Sequence, residues 1–162
     1  MSIILFRIDD RLIHGQVVEG WLKEIGAEII VVANDIVACD EMQKALMTLA
    51  IPSDVDVYIE RIDTAIEQYK QGYFDKNKTL VLVSCPKDAF QLIEGGLKIN
   101  SINIGGMHFS EGKKQILETI SVSKDDVEYL RALSNKGLQL ESRTLPEAER
   151  IDVAKELKKQ GL

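Results

Sequence analysis

Short apolar runs alternate with amphipathic stretches along almost the whole chain, and this pattern leaves few folds open. Ser2–Ile8 (SIILFRI), Glu28–Ala33 (EIIVVA), Val55–Ile59 (VDVYI), Thr79–Ser84 (TLVLVS), Ser101–Ile104 (SINI) and Leu138–Ser142 (LQLES) read as strands. Several are nearly all apolar and β-branched, as strands covered on both faces are. Helical stripes lie between them. Val17, Val18, Trp21, Leu22 and Ile25 form one, with Gly26 as a stop. Met42, Ala45, Leu46 and Leu49 form a second, and Ile62, Ala65, Ile66 and Tyr69 a third. Ala89, Phe90, Leu92 and Ile93 follow Pro86, a good first-turn residue. Val127, Leu130 and Leu133 follow Ser123, a good N-cap. A polar helix over Glu147–Lys159 is expected to be peripheral. Strand–helix alternation at this spacing implies βαβ units: an α/β fold with a doubly wound, mostly parallel sheet and helices on both faces. Gln115–Val122 remains ambiguous between strand and loop.

A chain of 162 residues suits one domain over residues 1–162 and buries enough apolar surface to fold without staples. Cys39 and Cys85 form no CxxC or metal-ligand pattern and read as reduced thiols. No signal peptide is visible, and no apolar run approaches the ~20 residues of a membrane span. A net charge of -6 argues against binding a nucleic-acid backbone.

The chemistry concentrates in Arg7–Val17 (RIDDRLIHGQV), which holds one of only two histidines. In such sheets ligands meet the loops that leave the carboxyl ends of strands. The first strand is expected to end near Ile8 and the first helix to start near Gly15, making Asp9–His14 that loop. His14 then stands at a helix N-terminus, where backbone N–H groups and the dipole favour an anion over an imidazolium. A neutral imidazole is a nucleophile. Arg11 can hold a phosphate by two parallel hydrogen bonds. Either Asp9 or Asp10 can orient His14 or Arg11, and the sequence does not choose. Together these groups suit phosphoryl transfer, in which positioning and charge neutralisation dominate. The plainer alternative is that His14 caps or packs the helix while Arg7 and Arg11 pair with aspartates at the surface.

RIDDRLIHGQV resembles the phosphorylation-site segment of IIB subunits of bacterial sugar phosphotransferase systems, mannose–fructose–sorbose family. Val31–Asp35 (VVAND), Ser101–Met107 (SINIGGM) and Ile120–Val122 with the helix after it resemble later segments of that family. The resemblance implies a phosphotransferase in which His14 takes a phosphoryl group on Nδ1, the pros nitrogen, from a phosphohistidine of a IIA subunit. The group then passes to a sugar entering through membrane subunits IIC and IID. Asp9, Asp10, Arg11 and His14 match the family's active-site loop. The resemblance also implies a cytoplasmic protein associated with those membrane subunits. It implies a sheet of about seven strands with one antiparallel strand near an edge, which would make Gln115–Val122 a strand. The sugar and the oligomeric state stay open, a homo-oligomer among the options.

Other residues frame the expected pocket. Gly15 and Gln16, next to His14, are phosphate-loop candidates. Gly105 and Gly106 either wall the pocket by close backbone approach or make a turn. Ser84 and Asn34-Asp35 end neighbouring strands and can approach the site or simply satisfy local backbone. His108 reads as a loop residue and Trp21 as core. No P-loop and no dinucleotide fingerprint occurs, so no nucleotide partner or cofactor is expected. Two histidines without an acid or cysteine cluster do not suggest a metal. Two other classes compete: a hydrolase or mutase passing through phosphohistidine, and a non-catalytic interaction domain.

Overall fold

The computed structural model describes residues 2–162; residue 1, counted in the expected domain, lies outside them. Seven strands make one sheet: β1 (Ile3–Asp9), β2 (Ile29–Ala33), β3 (Asp56–Glu60), β4 (Thr79–Val83), β5 (Ser101–Gly106), β8 (Gln139–Ser142) and β9 (Ile151–Asp152). Their order is β3-β2-β4-β1-β5-β8-β9, and every pairing is parallel except β8 with β9. The short strands β6 (Lys114–Leu117) and β7 (Ile120–Val122) form a separate antiparallel hairpin, joined to β5 only through a bridge between Met107 and Ile120.

Helix α1 has an unusual start. Gln16–Leu22 winds as a π-helix and continues as an α-helical turn, Lys23–Ile25, before Gly26 stops it in the left-handed region at φ 60°. The other helices are α2 (Glu41–Leu49), α3 (Ile62–Lys70), α4 (Pro86–Glu94), α5 (Lys124–Asn135) and α6 (Val153–Lys159). Ser123 caps α5 in a capping box with Asp126.

Two apolar layers cover the sheet. Leu12, Ile13, Val17 and Leu22 pack with Ile30, Val32, Leu80 and Leu82 on one face. Residues of α3, α4, α5 and α6 pack with Phe6, Ile8, Val81, Ile102 and Ile104 on the other. The alternation along β1 therefore puts Phe6 and Ile8 on the second face and Arg7 and Asp9 on the first, towards α1. The connection through α1 leaves β1 on one face, while α4 leads from β4 to β5 across the other. That reversal opens a crevice at the carboxyl end of β1.

Four expectations change. The Gln115–Val122 segment is a hairpin outside the main sheet, because the tight Glu118–Thr119 turn folds it back on itself; the seventh, antiparallel strand is Ile151–Asp152. The last helix starts at Val153, capped by the Asp152 carboxylate, rather than near Glu147. It is not peripheral, since Val153 and Leu157, four residues apart on one face, are buried. The α2 stripe points outward. Met42, Leu46 and Leu49 are exposed, and Met47 packs against the core instead. Asp9 and the glycine pair belong to strands: β1 runs to Asp9 and β5 to Gly106, so the glycines are ladder residues rather than a turn.

Candidate active site

Asp9 closes β1 with its side chain 0% exposed, on the face that carries α1. Isolated, such a carboxylate would be costly. It is satisfied from three sides. The guanidinium Nη2 of Arg7 donates to Asp9 Oδ2 at 3.0 Å. The backbone N–H of Arg11 donates to Oδ1 at 3.2 Å, and Arg11 Nε lies 3.7 Å from the same oxygen. His14 Nε2 lies 3.0 Å from Oδ2. Burial pushes the Asp9 carboxyl up. The hydrogen bond with His14 and the charge of Arg7 outweigh burial and hold it below the usual carboxylate range. An ionised carboxylate only accepts, so Nε2 of His14 carries the proton. Among the described residues no hydrogen-bond partner faces His14 Nδ1, and the ring is 14% exposed.

The loop reaches this geometry by a backbone device. Leu12 adopts φ 56°, the left-handed region, and is the only non-glycine residue among those described to do so. Leu12 N donates to Asp9 O at 2.9 Å, which closes a turn over the carboxylate. The apolar side chains of Leu12 and Ile13 then plug into the core. His14 O accepts from Val18 N, so the histidine stands at the entrance of α1.

The two aspartates divide the work. Asp9 takes His14, whereas Asp10 Oδ1 lies 2.6 Å from His108 Nδ1 and Asp10 Oδ2 accepts from His108 N–H at 2.7 Å. Asp10 thus ties the β1 loop to the loop after β5. Arg11 is 45% exposed, and its Nη2 donates to Gln16 Oε1 at 3.3 Å. Gly15 has open space where a Cβ would stand. Gly106 pairs with Asp9, and a Cβ there would come 3.2 Å from Asp9 Oδ1; its carbonyl accepts from Asp10 N. Ser84 follows β4 at the same sheet edge but bonds elsewhere: it accepts from Asn34 and donates to Asp88. Burial pushes the Asp88 carboxyl up. Asp35 caps α3 through Ile62 N–H.

Sequence reasoning considered Arg7 only in the plainer alternative, as a surface residue paired with an aspartate. It is fully buried beneath Asp9, together with Asn103 of β5. A signal existed, since a charged residue inside a strand covered on both faces requires an internal partner, and Asp9 two residues on shares its face.

The fold and this edge define a doubly wound α/β protein whose polar centre is a histidine held by a buried aspartate where the chain leaves β1. Residues 3–162 match the family described as "PTS system sorbose subfamily IIB component". The chain belongs to that family, the IIB components of sugar phosphotransferase systems. It is 37% identical over 146 residues to the fructose-specific EIIB component of Bacillus subtilis (strain 168), covering 90% of each chain. It is 38% identical to the mannose-specific EIIAB component of Escherichia coli (strain K12), over 98% of this chain but only 50% of that protein. The chain thus spans about half the length of that relative. In structure it resembles the IIBSor domain of the sorbose permease from Klebsiella pneumoniae, with TM-score 0.93, 31% identity and 98% coverage of both chains.

Proposed function

We propose that this sugar phosphotransferase subunit, acting as one domain over residues 1–162, carries the phosphoryl group on Nδ1 of His14. The observation that carries the reading is the hydrogen bond from His14 Nε2 to Asp9 Oδ2, which leaves Nδ1 as the nitrogen with a free lone pair. That lone pair attacks the phosphorus of a phosphohistidine on a IIA subunit. The donor's P–N bond breaks, and its electron pair returns to the donor ring. In the second transfer a sugar hydroxyl attacks the phosphorus on His14, the pair returns to Nδ1, and the hydroxyl proton leaves to a base.

Arg11 is the clamp for the equatorial oxygens: half-exposed and only weakly engaged by Gln16, its fork is free to turn onto the phosphoryl group. Gly15, with open space above its Cα, lets the group sit close to the backbone at the start of α1. Asp9 orients the ring, and Asp10 fixes the loop through His108. The EIIAB name of the Escherichia coli relative joins a IIA unit to a IIB unit, which supports a IIA donor. By the same family logic the acceptor is a sugar presented by membrane subunits IIC and IID, beside which the chain works in the cytoplasm. No helix among the described residues is long and apolar enough to cross a membrane.

The test is incubation with phosphoenolpyruvate, the general phosphotransferase proteins and a cognate IIA. Acid-labile label should appear on the wild type, disappear in His14→Ala and persist in His108→Ala. Label surviving His14→Ala overturns the assignment, and turnover of a free phosphoester would favour the hydrolase class.

A further inference from the structure

Arg7 is a fully enclosed charge, with 0% of its side chain exposed, as is its partner Asp9. Each element around it contributes. Its Nη1 donates to Asn103 Oδ1, on the neighbouring strand at the register position opposite Arg7, and to Arg143 O at 3.0 Å. Its Nη2 donates to Asp9 Oδ2 and to Thr144 O at 3.2 Å. Its guanidinium carbon lies 5.3 Å from the ring centroid of Trp21, whose indole N–H donates to the same Thr144 carbonyl. The floor is Gly105: a Cβ built there would stand 1.8 Å from Arg7 Nη2 and 1.9 Å from the guanidinium carbon. Only glycine admits the group at that height in β5.

A buried cation of this kind is a poor source of net stability, since desolvation opposes what pairing returns. Its geometry is more informative. Every acceptor around Nη1 and Nη2 is backbone or strand-anchored, so the guanidinium can present Nη2 to Asp9 in one direction only. Asp9 Oδ2, the oxygen it fixes, is the one that meets His14.

We propose that Arg7 is a positioning residue for His14: seated on Gly105 between Asn103, the 143–144 carbonyls and Trp21, it locks the Asp9 carboxylate, and the locked carboxylate keeps the imidazole proton on Nε2. The proposal rests on the reading of His14 as the phosphoryl carrier and names what decides which ring nitrogen is nucleophilic. It also gives the glycine at 105 and the crossing of residues 143–144 behind the site a common purpose.

The test separates this role from mere support of the fold. In wild type, ¹⁵N spectra of His14 should show one tautomer, Nε2 protonated and Nδ1 bare. Arg7→Met should give a mixture of tautomers and slow single-turnover phosphorylation at least about tenfold, because a ring in the wrong tautomer turns no lone pair to the phosphorus. Arg7→Lys restores the charge without the fork and should recover part of both. Gly105→Ala keeps every polar group but forces the guanidinium off its seat; it should shift the tautomer in the same direction. It decides the matter should Arg7→Met fail to fold. A folded Arg7→Met or Gly105→Ala protein with the wild-type tautomer and a rate within about twofold overturns the proposal, since a purely structural arginine would change only the melting temperature. The tautomer is read without any phosphoryl donor. Failure of wild-type His14 to accept phosphate would therefore sink the carrier reading while leaving the role of Arg7 separately judged.

Discussion

Asp9 Oδ2 sits 3.0 Å from both Arg7 Nη2 and His14 Nε2, so one buried oxygen joins a fixed cation to a ring that, in the proposed transfer, changes its charge. On the proposed mechanism, a phosphoryl group on Nδ1 would make the ring cationic in character, and the carboxylate 3.0 Å away would stabilise it without moving. Arg11 works differently. Its guanidinium is 45% exposed and lies 3.7 Å from Asp9 Oδ1, too far for a strong hydrogen bond. It adds little to the resting site, and in the proposed transfer it is the group left to meet the phosphoryl oxygens. Arg11→Ala should therefore leave the fold intact and slow transfer by about 2–4 kcal/mol in activation free energy, the usual loss for one preorganised stabiliser of transition-state charge. Arg11→Lys should recover only part, as an ammonium lacks the bidentate fork. Rapid-quench measurement of single-turnover phosphorylation checks both, and a wild-type rate in Arg11→Ala would remove the residue from the mechanism.

At the level of elements, the site is a junction: strand β1, a left-handed turn at Leu12, then a helix that begins with π winding. Leu12 pays for its φ of 56° with burial, its side chain being 3% exposed against the sheet. The two effects oppose each other in Leu12→Gly. Glycine relieves roughly 1–2 kcal/mol of backbone strain. It also removes a buried leucine side chain, whose truncation even to alanine costs about 2–5 kcal/mol. The loss wins, so Leu12→Gly should destabilise by about 1–3 kcal/mol, read as a lower urea midpoint. An unchanged or raised midpoint would mean that strain, not packing, dominates the turn. The same junction shows what could be read in the sequence. Apolar runs marked β1, β2, β4 and β5, because strands covered on both faces need no alternation, and Gly26 marked the end of α1. The position of Arg11 and His14 in the loop between β1 and α1 was legible. The partner of His14 was not, because Asp9 and Asp10 are adjacent and only the strand end at Asp9 decides which one points under the loop. The burial of Arg7 was legible only in part: Asp9 lies two residues on, but its other partners, Asn103 and the 143–144 carbonyls, are distant in sequence. The outward turn of α2 was equally hidden, since periodicity reports that a stripe exists and not which way the helix is rolled against the sheet.

Across the whole molecule, the active edge faces outward where the loops after β1 and β5 meet, clasped by Asp10 and His108. A surface cavity of about 450 Å³ lies elsewhere, among Lys113, Lys114, Val122, Val127 and Arg131, and has no part of the His14 loop in its wall. A sugar site usually requires a concave wall with convergent polar groups against an apolar face. Around His14 the groups are a phosphate-suited arginine, a glycine with open space and an aspartate already occupied by three partners. Only 6% of the residues are aromatic, and the single tryptophan is 2% exposed, its N–H engaged by Thr144 and its ring covered by the guanidinium carbons of Arg7 and Arg143. It cannot offer a stacking platform. The proposed carrier role, accepting from one protein and delivering at another, also needs the histidine reachable by both, which a filled sugar pocket at the same edge would prevent. The isolated chain should therefore show no saturable affinity for hexoses or amino sugars, and sugar selection should reside in the membrane subunits. Calorimetry or ligand-observed NMR on the purified chain tests this directly. Saturable binding tighter than about 1 mM, roughly -4 kcal/mol, would show that this subunit itself selects the sugar.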